Sequence, residues 1–468
     1  MYSVDNQLKI EDFIFPYGKL DRNNRWVKLA AIIPWNEFEE VYSKQFINNN
    51  GRPAKTLRIA LGSLIIKQKL NCSDRETVCA IAENPYLQYF IGLKEFQNSA
   101  PFGASSMVEF RKRISDYMII EMNNAILKDT TAKKNDDDRD KHDDDDDNNS
   151  AQSNQGTIII DATCTPADIT YPQDLNLLNS AREKLEGYID QLHNPSESKK
   201  PRTYRKIARK DFLNVSKTRK KNSKKMRKAI RKQLNYIARD IGYIANYIAN
   251  GKKLNSRQSE EYKVILQLYQ QQRYMFDNRK HTVENRIVSI SQPHVRPIVR
   301  GKTKAPTEFG AKVEISVANG YVRMEKLSWD AYNESESLIP ITENYKARNG
   351  FYPERILADK IYRNRKNLNY CKENGISITG PALGRPKKNK TRAEKNQEYV
   401  DTCERNEVEG KFGTGKTRYG LARIFADLKE TAECVISMAF FVMNLDKKLR
   451  VILCHFINYY ILEFGIEI

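Results

Sequence analysis

The apolar positions in the first part of the chain recur with the 3.6-residue period of amphipathic helices. In the run AKTLRIALGSLIIKQKL the leucines and isoleucines fall on one helical face. Ser73 and Glu76 then form a capping box, which predicts the start of a further helix. We therefore predict an all-α N-terminal domain over residues 1–128. Its short helices with exposed basic residues fit a DNA-binding domain and a plain helical bundle equally well.

The pattern changes to short β-branched or alternating runs after residue 156. TIIID at 157–161 predicts a buried strand that ends on an aspartate. AKVEISVA at 311–318 alternates apolar and polar positions, and the following Asn319-Gly320 is a preferred hairpin turn. Two more short runs predict strands, RILA (355–358) and ISIT (376–379).

A long helical segment interrupts these strands at about residues 176–290. Apolar residues recur in it at spacings of 4, 3, 4, 3 and 4, which is a coiled-coil-like seam that predicts a helical hairpin. The residues of this seam are Ile230, Leu234, Ile237, Ile241, Ile244 and Ile248. Seventeen lysines and arginines lie between Lys199 and Lys232, so this end of the hairpin is suited to lie along phosphates.

Two further boundaries follow from the pattern. Residues 129–156 contain DDDRDKHDDDDDNNS and almost no apolar side chains, so we predict a disordered acidic linker. The catalytic part of the chain is then expected over residues 157–445, and a C-terminal helix over residues 446–468. The apolar run at 434–445 is too short to span a membrane and predicts a core helix.

Composition narrows the class of partner. The chain has 468 residues and a formal net charge of +20, with 79 Lys and Arg against 59 Asp and Glu. Such an excess favours a polyanion, either nucleic acid or an acidic membrane surface, over a small neutral substrate. Seven cysteines form no C-x-x-C pair and there are only five histidines, which argues against a structural zinc site and suggests a reducing cytosol.

The stretch RNEVEGKFGTGKT at 405–417 fits two incompatible patterns. Gly410-x4-Gly415-Lys416-Thr417 satisfies the P-loop pattern, but a P-loop needs a buried strand before its glycines, and the preceding residues are charged throughout. That charged run predicts a helix that ends at the glycines. The second pattern, Arg405-x3-Glu409-x6-Lys416, places one acid between two cations, and we favour it.

Three acids then stand out by position. Asp161 and Asp359 each follow a predicted strand, and Glu409 lies on the predicted helix beside them. Three carboxylates brought together repel one another unless a divalent cation neutralises them, and oxygen ligands select Mg²⁺ or Mn²⁺. A pair of such ions about 4 Å apart can hold the attacking and leaving oxygens of a phosphodiester. Rival acids that fit less well are Asp168, Asp174 and Glu407.

The order of these features resembles a known family. DATCTPAD (161–168), YPQDLNLLN (171–179), ILADKIYRNRKN (356–367) and R-x3-E-x6-K (405–416) are similar to motifs of the DDE transposases of bacterial insertion sequences. The chain looks like the IS-four/IS-five-like branch with an InsH-type N-terminal domain, and the resemblance covers roughly residues 10–445. Thr402 departs from the tyrosine that this family usually has three residues before the arginine.

The resemblance implies an α/β fold, namely an RNase H-like mixed-sheet catalytic domain with a helical hairpin insertion, preceded by the all-α domain. It implies Asp161, Asp359 and Glu409 as ligands of two Mg²⁺ or Mn²⁺ ions. The expected partners are double-stranded DNA, both the terminal inverted repeats of the element and target DNA, and no membrane. A homodimer is expected on DNA, in the cytoplasm at the nucleoid.

Roles in DNA contact are expected for two groups of cations. Arg405 would orient Glu409 or hold a phosphate, and Lys416 would contact the scissile strand, although each could equally be an ordinary surface charge. Cations of the insertion would bind the DNA backbone, namely Lys220, Lys221, Lys224, Lys225, Arg227 and Lys228. The alternatives are a metal-dependent nuclease without strand transfer, an inactive DNA-binding remnant, and a P-loop ATPase.

Overall fold

The structure is a computed structural model that describes residues 9–16, 18–44, 46, 53–137, 153–196, 199–220, 222–299, 307–380 and 391–464. The chain divides into two compact units. Unit 1 comprises residues 1–166, 312–328 and 332–468, and unit 2 comprises residues 167–311 and 329–331.

Unit 1 begins with a helical region. Ser73 and Glu76 form the predicted capping box, because the Ser73 amide donates to Glu76 Oε2 at 2.7 Å and the Glu76 amide donates to Ser73 Oγ at 3.2 Å. The helices are α1 Arg25–Ile32, α2 Trp35–Ser43, α3 Leu57–Leu70, α4 Asp74–Glu83, α5 Pro85–Phe90, α6 Ser106–Arg113 and α7 Asp116–Asp137.

The predicted acidic linker overlaps described structure at both of its ends. Helix α7 runs to Asp137, eight residues beyond the predicted start of the linker at 129. At the other end, Asn154 donates to the carbonyl of Asn374 at 2.7 Å, and the Gln155 amide donates to the Tyr352 carbonyl at 3.0 Å. Residues 138–152 lie outside the described residues.

A mixed sheet forms the other half of unit 1. The strands of the chain are β1 Thr157–Pro166, β2 Arg296–Val299, β3 Thr307–Ala318, β4 Tyr321–Ser328, β5 Arg355–Ala358 and β6 Ser377–Ile378. In unit 1 they follow the order β3-β1-β5-β6, with β4 paired to β3. β1 is parallel to β5 and β5 is parallel to β6, whereas β3 and β4 are antiparallel.

The predicted hairpin is confirmed. Asn319 and Gly320 join β3 to β4 with φ of 51° and 72°, the left-handed values that a two-residue hairpin turn requires. The strand predicted to end on Asp161 is longer than expected, because β1 continues to Pro166. β2 was not predicted; it pairs antiparallel with the first residues of β3 within unit 2.

Helices cover the sheet of unit 1 and complete its core. They are α12 Leu338–Asn349, α13 Arg365–Glu373, α14 Arg392–Arg418 and α15 Lys429–Phe464. Buried apolar residues of β1, β5, α12 and α13 form one cluster, which includes Ile158, Ile160, Leu338, Ile356 and Cys371.

Helix α15 has a long buried segment in unit 1. Nearly every residue from Ala432 to Leu445 is buried, and the helix packs against α3, α6, α7 and β4. The predicted boundary at residue 446 falls inside α15, so no separate C-terminal helix begins there. No helix among the described residues is long and apolar enough to cross a membrane.

Unit 2 contains the predicted insertion, but it is not a simple hairpin. Its helices are α8 Asp174–Leu192, α9 Arg205–Ser216, α10 Ser223–Ala249 and α11 Ser256–Asp277. The seam on α10 packs against α8 as well as α11, so three helices share one apolar core. Leu234, Ile237 and Ile244 of the seam are completely buried, while Ile248 at its end is 43% exposed.

Asp446 of α15 connects the N-terminal helices to the end of α14. Its carboxylate forms an ion pair with Lys69 of α3 and accepts a hydrogen bond from Tyr419 Oη at 2.7 Å. The side chains of Lys69 and Asp446 are only 11% and 17% exposed. A second link lies nearby, because Asn444 donates to Asn123 Oδ1 at 2.8 Å and accepts from the Val322 amide at 2.9 Å.

We predict that Asp446→Ala destabilises unit 1 by about 3 kcal/mol, because it leaves the largely buried Lys69 without its charge partner. Hydrogen–deuterium exchange of the amides of α3 and α15 measures this loss locally. Glu40→Ala is the control: it breaks an ion pair to Lys44 whose side chains are 78% and 70% exposed, and should cost about 0.5 kcal/mol or less. Equal losses in the two variants would contradict the prediction.

Candidate active site

The pairing of β1 with β5 places two predicted site residues side by side. The parallel register pairs Thr157 with Arg355 and ends with Ile160 opposite Ala358. Asp161 and Asp359 are the next residues on the two strands. They therefore occupy adjacent positions at the same edge of the pair, as parallel strands require.

Asp161 lies in a partly buried, negatively charged environment. Burial is the main reason that its pKa is raised from 3.8 to about 6, and the nearby charges of Glu334 and Asp359 raise the pKa further. The amide of Ala162 donates to Asp161 Oδ1 at 2.8 Å, and this bond lowers the pKa, as does the charge of Arg405. The charges that shift the pKa of this carboxylate are thus two acidic groups and one cation.

Asp359 is more exposed and is held by two donors. It caps a short 3-10 helix, Lys360–Tyr362, and its Oδ1 accepts from the Lys360 amide at 2.7 Å. Arg405 of α14 approaches the same oxygen at 3.2 Å. Arg405 was expected to orient Glu409 or to hold a phosphate, and in the structure it forms an ion pair with Asp359.

Helix α14 is fastened along β1 and β5 by several polar contacts. Arg355 of β5 binds Asp401 at 2.8 Å and Glu404 at 2.6 Å, and Lys416 donates to Thr163 Oγ1 of β1 at 3.1 Å. Lys411 donates to the Gly320 carbonyl at 2.7 Å. These contacts fix both the position of the helix and its rotation about its own axis.

Glu409 shares a helix face with the residues that contact the strands. Positions 405, 409, 412 and 416 are spaced by 4, 3 and 4, which places them in one stripe of an α-helix. Arg405 of that stripe contacts Asp359, the residue after β5, Lys416 contacts Thr163 of β1, and Phe412 is buried. Glu409 is exposed in this stripe, one helical turn after Arg405.

The described residues contain no group of three His, Cys, Asp or Glu side chains arranged closely enough to hold a metal ion. Asp161 and Asp359 nonetheless fit a divalent cation by their chemistry. Both supply carboxylate oxygens as ligands. Burial raises the pKa of Asp161 most and the charge of Asp359 raises it further, and a bound cation would offset both effects. Glu409 is not in contact with them in this arrangement.

The P-loop pattern has no structural counterpart. The glycines were expected to end a helix, but α14 continues through all three to Arg418. A Cβ at Gly410 or Gly413 would meet no atom within 4 Å, whereas one at Gly415 would lie 2.8 Å from Leu421 Cδ1. Gly415 therefore permits a close approach, and a nucleotide loop that requires a strand before its glycines is excluded.

A buried polar cluster behind the two aspartates was missed by the sequence reasoning. Glu314 of β3 is completely buried and accepts a hydrogen bond from Tyr362 Oη at 2.7 Å. Burial raises the pKa of Glu314, although the hydroxyl groups of Tyr362, Ser337 and Tyr332 lower it. Tyr362 follows Asp359 by three residues, and polar residues inside an alternating strand were the signal available in the sequence.

The rival acids have other structural roles. Asp174 accepts from Gln272 at 2.8 Å and pairs with Arg286 at 2.6 Å within unit 2. Glu407 pairs with Lys411 at 3.5 Å on the surface of α14. Asp168, whose backbone carbonyl accepts from Gln292 at 3.2 Å, belongs to unit 2.

Most of the predicted DNA-binding cations of the insertion lie at the start of α10 and in the turn before it. Lys220, Lys224, Lys225 and Lys228 are exposed, and Lys221 lies outside the described residues. The Arg227 guanidinium sits 4.0 Å from the centre of the Phe276 ring.

Helix α9 adds a basic groove that was not predicted. This groove of about 580 Å³ is lined by Lys206, Arg209, Lys210 and Lys217, together with Leu213, Asn214 and Thr218.

Two family models that match the chain both describe transposases. Residues 356–446 match the family model described as "Transposase DDE domain", and residues 16–113 match the one described as "Transposase domain (DUF772)". The "Uncharacterized protein ORF8 in nfe locus" of Rhizobium meliloti is 32% identical over 159 residues, which cover 34% of this chain and 70% of that protein. No solved structure matches the chain.

The pKa of Asp161 predicts a pH dependence of stability in metal-free protein. Because this pKa of about 6 lies above the unfolded value of 3.8, the folded state retains a proton that the unfolded state releases. The unfolding free energy of the wild type should therefore fall between about pH 4 and pH 6. Asp161→Asn removes this fall, and it should be more stable than wild type above pH 6 by up to about 3 kcal/mol.

Thermal denaturation in EDTA across this pH range tests the prediction. The two proteins should have equal stability below about pH 4, where Asp161 is protonated in both states. A constant difference at all pH values would contradict the argument.

Proposed function

This chain belongs to the DDE transposases, and on that premise we propose that it cuts DNA at the ends of an insertion sequence and joins the freed ends to target DNA. The observation that supports this most directly is the placement of Asp161 and Asp359 at adjacent strand positions, with Glu409 on the helix stripe that contacts those strands. Water first cleaves the phosphodiester, and the freed 3′-hydroxyl then attacks the target.

We further propose that the sheet of unit 1 is the RNase H-like catalytic fold. The strand order β3-β1-β5-β6 with the antiparallel hairpin β3–β4 supports this, as do the acids at the adjacent positions that follow Ile160 on β1 and Ala358 at the end of β5. Strand β1 supplies the first acid, the residue after β5 supplies the second, and α14 crosses both strands with the third.

Asp161, Asp359 and Glu409 would hold Mg²⁺ or Mn²⁺. When bound, two such ions supply Lewis acidity to both the attacking and the leaving oxygen of the phosphodiester. Glu409, exposed on the helix stripe that it shares with Arg405, would complete the set of oxygen ligands. Arg405 would orient Asp359 through its ion pair, and Lys416, which donates to Thr163 Oγ1, is proposed to contact the scissile strand.

The charges of unit 2 support double-stranded DNA as the partner. Cations elsewhere in the insertion have acidic partners: Lys184 pairs with Glu261, Lys200 with Asp190, and Lys263 with Glu260. Within the described part of unit 2, the cations of the α9 groove and those at the start of α10 form no such ion pair. Cations without an acidic partner are the ones that can neutralise phosphates.

An insertion sequence has two ends, so we propose that two copies of the protein bind DNA together as a homodimer. We also propose that the protein is located at the nucleoid. The N-terminal helices are proposed to contribute to DNA binding, in keeping with their own match to a transposase domain.

The function is tested by replacing each acid separately with its amide. Asp161→Asn, Asp359→Asn and Glu409→Gln should each reduce Mg²⁺-dependent cleavage of element-end DNA by a factor of about 10² to 10³, the loss that follows removal of one charge-stabilising group. DNA binding, measured by gel shift, should remain. Full cleavage by any one variant would show that the replaced residue is not part of the catalytic site.

Strand transfer separates the transposase from a nuclease of the same fold. A duplex that already carries the exposed 3′-hydroxyl of the element end is mixed with a second, labelled duplex. The wild type should join the two, and the three acid variants should not. Cleavage without joining would favour the nuclease, and DNA binding without either reaction would indicate an inactive remnant.

The proposed DNA surface is tested by removing charges in two matched sets. Replacing Lys224, Lys225 and Lys228 by glutamine should weaken binding to all DNA sequences. It should also flatten the slope of log K against log salt by about 0.9 for each phosphate that the protein no longer neutralises. The control removes three lysines that already have acidic partners, Lys184, Lys200 and Lys263. Equal changes in both sets would show that only total charge matters.

A further inference from the structure

We propose that Asp211 is a positioning residue for DNA binding, because it fixes helix α9, and with it the α9 groove, against α10. This inference rests on the proposed function, since the groove is taken to bind the DNA backbone. It gives an acidic residue a part in binding a polyanion, which is the opposite of what its charge alone predicts.

The first observation is that α9 has two different faces. The cations of the groove recur at helical spacing on one face and are exposed. They are Lys206, Arg209, Lys210 and Lys217. Positions 206 and 217 lie about 16 Å apart along a helix, a length over which a duplex presents more than one phosphate. The opposite face carries Ala208, which is completely buried, and Asp211, whose side chain is 18% exposed.

The second observation is how Asp211 binds the neighbouring helix. Its Oδ1 pairs with Lys232 Nζ of α10 at 2.7 Å, and its Oδ2 accepts a hydrogen bond from Tyr236 Oη of α10 at 3.0 Å. Lys232 and Tyr236 are one turn apart on α10, so the two contacts oppose both sliding and rotation of α9. Asp211 is the only acidic residue of α9.

The third observation is that apolar packing contributes little to the position of this helix. Ala208 is the one buried residue of α9, and none of the described residues of α9 belongs to the apolar cluster that α8, α10 and α11 share. A helix of 12 residues is marginal without tertiary contacts. Toward its start, Arg205 binds Asp190 at 2.7 and 2.9 Å, and Gln233 donates to the Ala208 carbonyl at 3.1 Å. Asp211 adds the contacts nearer to the middle of the helix.

The fourth observation decides between the two opposing effects of this carboxylate. Asp211 contacts Lys232 and Tyr236 directly, in a partly buried position. Phosphates on the basic face would lie across the width of the helix, about 10 Å away. That distance exceeds the screening length of about 8 Å at physiological ionic strength, whereas a partly buried ion pair is screened much less. Loss of Asp211 therefore weakens DNA binding, although it makes the protein more positive.

DNA binding by the full-length protein tests this. The affinity of wild type and Asp211→Ala for one duplex is measured by fluorescence anisotropy over a range of salt concentrations. For each phosphate contact that α9 loses in Asp211→Ala, the slope of log K against log salt should flatten by about 0.9, which is about 5-fold in affinity at about 0.15 M salt.

Asp277→Ala is the matched control. It removes the same charge from unit 2, but Asp277 pairs with Arg273 of its own helix, at 2.9 Å, and joins no second helix. This variant should bind DNA at least as tightly as wild type. Asp211→Glu, which keeps the carboxylate, should bind DNA more tightly than Asp211→Ala. Equal or tighter binding by Asp211→Ala than by wild type would overturn the inference.

A second set of variants separates positioning from general loss of structure. Replacing Lys206, Arg209 and Lys210 together by glutamine should weaken DNA binding. In that background Asp211→Ala should cause little further loss, because the cations that it positions are already gone. Amide hydrogen exchange should rise in α9 of Asp211→Ala and stay unchanged in α8 and α11. A further loss as large as in the wild-type background, or faster exchange throughout unit 2, would contradict a positioning role.

Failure of the inference and failure of the proposed DNA surface give different results. If the triple glutamine variant binds DNA weakly and Asp211→Ala binds like wild type, only the role of Asp211 is lost. If the triple variant keeps the affinity and salt slope of wild type, α9 is not part of the DNA surface, and both proposals fail there.

Discussion

The parallel pairing of β1 with β5 is the constraint on which the candidate site depends. It joins segments almost 200 residues apart and sets two carboxyl groups next to each other at one edge. Like charges do not gather spontaneously, so the surrounding structure must stabilise this arrangement. Apolar residues on the same two strands, among them Ile158, Ile160 and Ile356, are buried and provide that stabilisation.

The helix that carries the third acid shows how tertiary contacts override local preference. Each glycine in a helix interior costs roughly 1 kcal/mol relative to alanine, and α14 contains three. The salt bridges from Arg355, the contact of Lys411 with the β-hairpin and the burial of Phe412 hold the helix through this weak stretch. From sequence alone, the glycines indicated an end because none of these contacts is local.

Sequence reasoning identified the parts of the site that local patterns encode. The β-branched runs and the Asn-Gly turn indicated the strands, and the strands in turn identified Asp161 and Asp359. The buried pair of Glu314 and Tyr362 was not identified, for a different reason. Its hydrogen bond joins β3 to the short 3-10 helix after Asp359, and the two residues are 48 positions apart in the chain. No periodicity marks such a bridge.

The insertion was recognised as basic and helical, but the fold determines which of its cations are paired. Arg182 is 1% exposed within its core and binds Glu186, Asn179 and Gln233, so a buried cation there is fully satisfied. Burying a charge requires such partners. The sequence shows how many cations the insertion has, but only the fold shows which are already occupied.

Helix α15 carries none of the candidate acids, yet its buried face packs against the first helices and the β-hairpin of unit 1 alike. A shortened copy of the gene that stopped near residue 425 would still encode every acidic residue of the pocket. Its product would lack the helix against which those elements pack, and the exposed apolar surfaces would favour aggregation. Among related genes, retention of the acidic triad is therefore a poor guide to which copies still produce a folded protein.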